Sequence, residues 1–215
     1  MDPLSVFLPF GFPIECRSAI DDNTGNSAHP LEGSTPLSPD QRFHYLNHLN
    51  VTSQLTGHGL DELVKRFLPY FEEELEGLCI GKDWVEIGDF YGVVKKIVFN
   101  GTINALCGPH LLRLNPGLTD DFWVYDGEIM GAFKGLPRWM IPKMYEVRER
   151  ILEGIEKWHG LARKNVDVFS GEMEGVMWEE FYGTKLVRMR TKELGSVKGM
   201  NGRAMAATDL AIIWG

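Results

Sequence analysis

Two histidines and a group of glutamates have the types and spacing that could support chemistry in this 215-residue chain. His44 and His48 lie four residues apart, so on a helix they would share a face and could hold a metal ion. No third ligand stands at metal-binding spacing, so a solvated or capping role is the stronger interpretation. Four glutamates between positions 72 and 76 could form a carboxylate cluster, but such a charge run usually covers a solvated helix face.

The three cysteines do not form a recognisable redox or zinc motif. Cys16, Cys79 and Cys107 are far apart, and no CxxC pair occurs. The simplest interpretation is three idle or buried thiols in a reducing compartment. The sequence also contains no glycine-rich phosphate loop, no GxSxG nucleophile elbow and no HExxH helix. No complete catalytic or metal-binding constellation is therefore visible in the sequence.

Composition and charge exclude some classes of partner. The formal net charge is −8, which argues against nucleic acid because phosphate groups require clustered Lys and Arg. The hydrophobic fraction of 44% is typical of a globular protein, and no apolar run approaches the ~20 residues of a membrane span. The apolar start lacks the basic residues and cleavage site of a signal peptide. We therefore expect no transmembrane segment, no anchor and no signal peptide in this chain.

A loop rich in large apolar side chains is the feature most suggestive of function. Residues 135–142 contain one glycine and two prolines, so they cannot be helical throughout. Exposure of Leu136, Trp139, Met140 and Ile141 would create an apolar patch, which marks a ligand entrance, a partner or a membrane contact. The alternative, equally weighted, is that these side chains pack underneath the loop.

Helical periodicity dominates the elements around this loop. Apolar residues spaced three and four apart predict a first long helix between positions 60 and 78. Asp89 is a capping residue for a second helix, which the Gly-Pro pair at 108–109 ends. The Asn-Pro pair at 115–116 predicts a third helix there or shortly after, and Pro142 opens a fourth.

The remaining segments have weaker patterns. Residues 84–87 alternate and could form one strand of a small sheet, and 172–182 could form a short helix. Residues 185–198 read as a charged surface segment, and 203–215 are helical by propensity. The fold class is therefore mainly α, with at most a few short strands.

Both ends of the chain carry expectations about its organisation. Residues 1–42 predict an irregular, flexible leader, because the stretch 21–39 is rich in Asn, Ser, Thr, Gly and Pro. Residues 43–215 predict a helical domain. The last six residues are apolar on every side, as expected for a helix inside a large core. We therefore expect this helix to be truncated.

Several motifs, in this order, give the chain a family likeness. Together they resemble the middle of a fungal cytochrome P450 of the class E, group IV type, related to sterol hydroxylases and prostacyclin synthase. The likeness covers about 45–215. The motifs are Gly-His-Gly-Leu-Asp-Glu-Leu at 57–63, Trp-Val-Glu-Ile at 84–87, Asn-Ala-Leu-Cys-Gly-Pro-His at 104–110, Leu-Arg-Leu-Asn-Pro at 112–116, Asp-Phe-Trp at 121–123, Lys-Gly-Leu-Pro-Arg-Trp-Met-Ile-Pro-Lys at 134–143 and Asp-Leu-Ala-Ile-Ile-Trp at 209–214.

The resemblance implies a partial cytochrome P450 fold, running from about helix C or D to the first half of helix I. In that layout, residues 58–78 are similar to helix D, 89–107 to helix E, 120–133 to helix F, 134–142 to the F–G loop and 143–163 to helix G. The run from about 203 is similar to helix I. The F–G loop and helix I border the family's substrate pocket. The pocket and entrance candidates are Leu136, Trp139, Met140, Asp209, Ile212 and Ile213.

The departures from the family pattern decide what cannot be carried over. The family holds haem iron through a cysteine thiolate in a loop containing Phe and Gly. None of the three cysteines has that context, and no Glu has an Arg three positions later. The acidic-threonine turn of helix I would follow Gly215. We therefore assign no catalytic residue, and we expect no stable haem binding by this chain.

Two hypotheses follow from the resemblance and its departures. The first is a fragment of a haem-thiolate monooxygenase, inactive alone. Its parent would act on an apolar substrate, for example a sterol or terpenoid, would take electrons from a reductase and would reside at the endoplasmic reticulum membrane. The second is a non-catalytic helical module that binds a hydrophobic ligand or partner.

Overall fold

Helices make up most of the computed structural model, which describes residues 3–82 and 84–215. Short 3-10 turns connect several of the helices, among them Leu8–Phe10 and Ile14–Cys16. In the described residues the α-helices are α1 (Pro3–Phe7), α2 (Arg17–Ile20), α3 (Phe43–Gln54), α4 (Gly57–Glu76), α5 (Phe90–Cys107), α6 (His110–Leu114), α7 (Leu118–Phe133), α8 (Pro142–Asn165), α9 (Lys185–Glu193) and α10 (Gly202–Trp214). The prediction of a mainly α fold is confirmed.

Local capping chemistry sets both ends of α5, and a proline sets the start of α8. The Asp89 side chain accepts a hydrogen bond from the Gly92 amide at 2.9 Å, so it is the N-cap predicted for α5. Gly108 follows α5 at φ 76°, in the left-handed region that favours glycine. Pro142 occupies the first turn of α8, as predicted, where its missing N–H removes no helical hydrogen bond.

The small sheet lies elsewhere than predicted. Strands β1 (Trp178–Glu179) and β2 (Gly183–Thr184) pair antiparallel, with Trp178 opposite Thr184. The strand predicted at 84–87 is wrong, because its described residues are irregular and pair with no neighbour. The helix predicted at 172–182 is also wrong. The Glu179 carboxylate accepts the Phe181 and Tyr182 amides at 2.8 and 2.5 Å and stabilises a hairpin turn instead.

Residues 185–198 are more deeply packed than the sequence predicts. They form α9 and a following 3-10 turn, rather than a charged surface segment. Leu186, Val187 and Leu194 are buried, and so is Arg190. The prediction is wrong because the charge pattern does not show that the guanidinium of Arg190 has hydrogen-bond acceptors in the interior of the fold.

The core is centred on α8, which packs against α6, α7 and α10. Its buried stripe repeats at three and four residues, as an amphipathic helix requires, and consists of Val147, Ile151, Leu152, Ile155, Trp158 and Ala162. Helices α4 and α5 form a second layer and pack mainly on each other. No residue of α4 is fully buried, so this layer leaves apolar side chains at the surface.

Residues 4–20 contribute to the core, whereas 26–40 are mostly exposed. Phe10, Phe12 and Ile20 are buried in the same cluster as α8. Buried Arg42 holds the following loop, because it donates to Thr24 Oγ1 at 2.8 Å and to the Ala28 carbonyl at 2.9 Å. The division of the chain at residue 42 stays a prediction.

Candidate functional site

The loop between α7 and α8 has its shape set at both ends. After Phe133, Gly135 adopts φ 77° and its amide donates to the Ala132 carbonyl at 2.9 Å. At the other end, Glu128 Oε2 accepts the Met144 amide at 3.1 Å, which satisfies one of the free N–H groups of α8. The loop is therefore anchored by α7 and α8 rather than left to its own preferences.

The apolar side chains of this loop divide into an exposed and a packed pair. Trp139 and Met140 are exposed, at 78% and 51% of their full surface. Leu136 and Ile141 are partly buried, and Ile141 packs against the core. Of the two alternatives that the sequence left open, exposure therefore holds for Trp139 and Met140, and partial burial holds for Leu136 and Ile141.

An apolar cleft of about 520 Å³ opens where the N-terminal segment meets this loop. Leu136 lines one side together with Phe133, and residues of the N-terminal segment line the other. Arg148 also borders the cleft, and its Nη1 donates to the Leu8 carbonyl at 3.0 Å. The residues that line the cleft include Leu8, Phe12, Ile14, Phe133, Leu136 and Arg148. The wall of this cleft is mostly apolar.

An aromatic cluster connects this cleft to the end of α10. The ring centroid of Trp214 lies 5.7 Å from that of Phe10 and 5.9 Å from that of Phe133. Trp214 Nε1 also donates to Asp126 Oδ1 on α7 at 3.1 Å. Ile212 and Ile213 are partly buried and pack against the core. The structure therefore brings the Leu136 wall and the end of α10 into one region, while Trp139 and Met140 lie at the surface.

Asp209 lies in a separate, buried polar cluster. Its Oδ2 is 2.9 Å from His159 Nε2 on α8, and its Oδ1 is 3.0 Å from Arg190 Nε on α9. Arg190 also donates to the Thr208 carbonyl at 2.9 Å and to Asn47 Oδ1 on α3 at 2.5 Å. His159, Arg190 and Asp209 are all buried. Asp209 therefore faces α8 and α9 in this structure, and its place toward a substrate pocket stays a prediction.

The partners of Asp209 favour the ionised form of its carboxylate. Burial opposes ionisation of Asp209, but the hydrogen bond from His159 and the charge of Arg190 outweigh it, so the pKa of Asp209 is lowered. An ionised carboxylate can only accept hydrogen bonds, so His159 Nε2 carries the proton that it shares with Asp209. Four helices, α3, α8, α9 and α10, meet at this cluster.

Sequence reasoning identified Asp209 but missed the partners of its carboxylate. A lone acid inside an apolar helix is itself a signal, because a buried carboxylate requires a partner. Arg190 is 19 and His159 is 50 positions away, so no helical spacing connects them to Asp209. Only the packing of α8 and α9 on α10 selects them.

The cysteines present do not fit the haem iron of the resembled family. Burial raises the pKa of the Cys107 thiol, and it also raises that of Cys16, so neither favours the thiolate that binds iron. Cys79, which follows α4, is exposed and does not line the apolar cleft. Neither buried thiol therefore suits the axial position, and the absence of stable haem binding stays a prediction.

The histidine and glutamate patterns do not assemble a metal site. His44 Nε2 lies 3.0 Å from the Ile20 carbonyl, while His48 is exposed. Among the described residues, no group of three or more His, Cys, Asp or Glu side chains is arranged to hold a metal ion. Glu74 instead accepts the Asn100 amide at 3.1 Å, which ties α4 to α5.

The helices of the described residues include no candidate for a membrane span. Within residues 3–82 and 84–215, none of the helices combines the length and the apolar character that a bilayer span requires.

Comparisons with known proteins give three fungal relatives. The chain is 33% identical over 172 residues to the cytochrome P450 monooxygenase fsoE of Humicola fuscoatra, 30% over 188 residues to the cytochrome P450 monooxygenase efuG of Hormonema carpetanum, and 28% over 177 residues to the cytochrome P450 monooxygenase calL of Penicillium decumbens. These matches cover 78%, 86% and 78% of the chain.

The relatives are much longer than the matched region. The chain spans 29%, 33% and 31% of the lengths of these three curated proteins. No family model matches the chain. No solved structure matches it either.

Proposed function

Because the chain belongs to the cytochrome P450 family and spans about a third of its curated relatives, we propose that it is the part of a haem-thiolate monooxygenase that borders the substrate entrance. The parent enzyme would hydroxylate an apolar substrate, for example a sterol or terpenoid, with electrons from a reductase. This chain alone would be inactive. The observation that carries the proposal is the similarity to three fungal P450 monooxygenases over most of the chain.

The geometry supports a role in admitting substrate rather than in the chemical step. The cleft wall that contains Leu136 is apolar, and the aromatic cluster of Phe10, Phe133 and Trp214 lies between this wall and the end of α10. In this proposal, Leu136, Trp139 and Met140 form the entrance, and Ile212 and Ile213 lie closer to the reacting substrate. The side chains of Leu136, Ile212 and Ile213 would exclude water from the surroundings of an apolar substrate, because they carry no hydrogen-bonding group.

Activity would require haem, which supplies the iron that activates dioxygen in this family. The buried thiols of Cys16 and Cys107 do not fit the axial ligand of that iron. We therefore derive no catalytic step from this chain. In this proposal, the parent enzyme resides at the endoplasmic reticulum membrane.

Reconstitution tests the inactivity of this chain. The purified 215-residue protein is mixed with haemin, reduced with dithionite and exposed to carbon monoxide. We expect no thiolate-type difference spectrum, because the thiols of Cys16 and Cys107 are buried and the exposed Cys79 does not line the apolar cleft. A thiolate-type spectrum that disappears in the Cys79→Ser variant would overturn the proposed inactivity and would identify the ligand.

The second candidate function is a non-catalytic helical module that binds a hydrophobic ligand. The apolar cleft beside Leu136 favours it, because this cleft needs no haem to exist. The probe is the fluorescent sterol dehydroergosterol, titrated into the chain while energy transfer from tryptophan is recorded.

A matched pair of variants makes this titration specific. We expect saturable binding that Leu136→Asp weakens by about tenfold, because a carboxylate would be desolvated in the cleft. Leu114→Asp, a control at an exposed leucine on α6 outside the cleft, should leave the affinity unchanged. Equal weakening by both substitutions, or no saturation, would contradict binding in this cleft.

A further inference from the structure

Helix α10 contains a buried ionic cluster in otherwise apolar surroundings. Residues 204–208 and Leu210, which flank Asp209, are all buried, so neighbours cover the helix on every side. Three of these buried residues are alanines, Ala204, Ala206 and Ala207, and they point in different directions around the helix. Small side chains on several faces discriminate weakly between different rotations of a helix about its axis.

Asp209 differs from these alanines, because only one rotation of α10 brings its carboxylate to both of its hydrogen-bond partners. Both of its carboxylate oxygens are occupied, one by His159 on α8 and one by Arg190 on α9. Arg190 is itself fixed by the Thr208 carbonyl and by Asn47 on α3. Turning α10 by one residue, about 100°, would withdraw the carboxylate from both partners and leave charges buried without compensation.

Buried ion pairs of this kind contribute little net stability. The desolvation of the charged groups offsets their mutual attraction, so replacement of all partners by apolar side chains is often neutral. Removal of one partner, in contrast, is strongly destabilising because the other charge stays buried. A buried polar group can instead select one arrangement among several, as it does in coiled coils.

We propose that Asp209, through Arg190 and His159, is a positioning residue that sets the rotation of α10 about its own axis. The cluster thereby decides which side chains at the end of α10 face the aromatic cluster and the cleft. This inference concerns the placement of α10. It rests on the proposed function only for the further statement that Ile212 and Ile213 line a substrate pocket.

Trp214 provides a readout of this rotation that stability alone would not move. It lies five residues after Asp209, donates to Asp126 on α7 and contacts the ring of Phe10. The 215-residue chain is labelled with 5-fluorotryptophan, and the Trp214 resonance is assigned by its loss in Trp214→Phe. Thermal unfolding is recorded on the same samples.

Three variants separate a positioning role from a stabilising one. Asp209→Leu alone should lower Tm by about 10 °C, because it leaves Arg190 buried without a partner charge. The triple variant Asp209→Leu, Arg190→Met and His159→Phe should recover a Tm within about 3 °C of the original chain. Its Trp214 resonance should nevertheless shift, broaden or split. The control Ile103→Val, a core substitution on α5, should lower Tm while leaving that resonance in place.

The outcomes are decisive in each direction. A triple variant with recovered Tm and a displaced or divided Trp214 resonance supports the positioning role. A triple variant with the single original resonance overturns it, because α10 then finds its rotation without the cluster. Loss of cooperative unfolding in the triple variant also overturns it, because the cluster would then hold the fold itself. None of these readouts depends on haem or substrate, so they are distinct from tests of the proposed function.

Discussion

At the residue scale, polar groups in apolar surroundings carry the most information. Trp158 is buried, yet its Nε1 donates to the Phe181 carbonyl at 2.6 Å, which fixes the hairpin segment against α8. Arg203 pairs with Glu149 and Glu156 and so connects the first turn of α10 to α8. Asp209 is the buried carboxylate among these groups, and its two oxygens contact His159 and Arg190. Its ionisation therefore contributes to the pH dependence of stability.

The first prediction concerns acid unfolding. The pKa of Asp209 is lowered in the folded chain from the unfolded value of 3.8. The folded state therefore binds fewer protons, and the contribution of Asp209 is complete above about pH 4 and is lost as pH falls through the lowered pKa. We expect the Tm of the original chain to fall more steeply below about pH 4 than that of Asp209→Asn, which has no proton to gain there.

The comparison needs only thermal unfolding between about pH 5 and about pH 3. The absolute Tm of Asp209→Asn will be lower throughout, because Arg190 loses its partner charge, so the slopes rather than the values are compared. Parallel slopes would show that Asp209 titrates equally in the folded and unfolded states, contrary to the hydrogen-bonded geometry.

At the element scale, close approach of helices requires glycine at a few positions. Gly154 lies on α8 where the end of α6 crosses it, and Asn115 Nδ2 donates to the Gly154 carbonyl at 3.2 Å and to the Leu111 carbonyl at 2.9 Å. A Cβ at position 154 would come within 2.7 Å of Asn115 Oδ1. The same helix contains Gly160, where a Cβ would meet no atom within 4 Å. These two glycines therefore make a matched pair.

The second prediction uses this pair. Gly154→Ala should destabilise the chain by about 1–2 kcal/mol, because displacement of Asn115 and loss of its hydrogen bonds outweigh the gain in helix propensity. Gly160→Ala should stabilise it by up to about 1 kcal/mol, since it gains the propensity without a clash. Urea unfolding of both variants measures the difference. Stabilisation by both substitutions would mean that α6 and α8 do not approach as closely as described.

At the scale of the whole molecule, the apolar surface is unevenly distributed. Val64, Leu68 and Leu75 recur on one face of α4 and are exposed. Val94 and Val98 on the adjacent α5 are exposed as well. Such an exposed apolar surface favours contact with other apolar surfaces. The chain spans only about a third of the lengths of its curated relatives.

The third prediction is that these two helices control self-association. The variant Leu68→Glu with Val98→Glu should reduce light scattering and ANS fluorescence at micromolar concentration by about half or more, because charge disfavours the burial of either face. The control is Leu31→Glu with Leu114→Glu, which adds the same charge at exposed leucines outside α4 and α5. If the control reduces association equally, net charge rather than the α4–α5 face explains the effect.

The sequence by itself determined the helical class, the helix boundaries at Asp89, Gly108 and Pro142, the loop before α8 and the family likeness. These features depend on local capping chemistry, on helical periodicity and on ordered motifs, all of which are determined by residues close together in the sequence. Tertiary structure alone decided that 84–87 form no strand, that α9 is buried and that Asp209 meets Arg190 and His159. Each of these outcomes depends on contacts between residues far apart in the chain. The residues next to a buried polar or apolar group in the sequence do not indicate which distant residue it will contact.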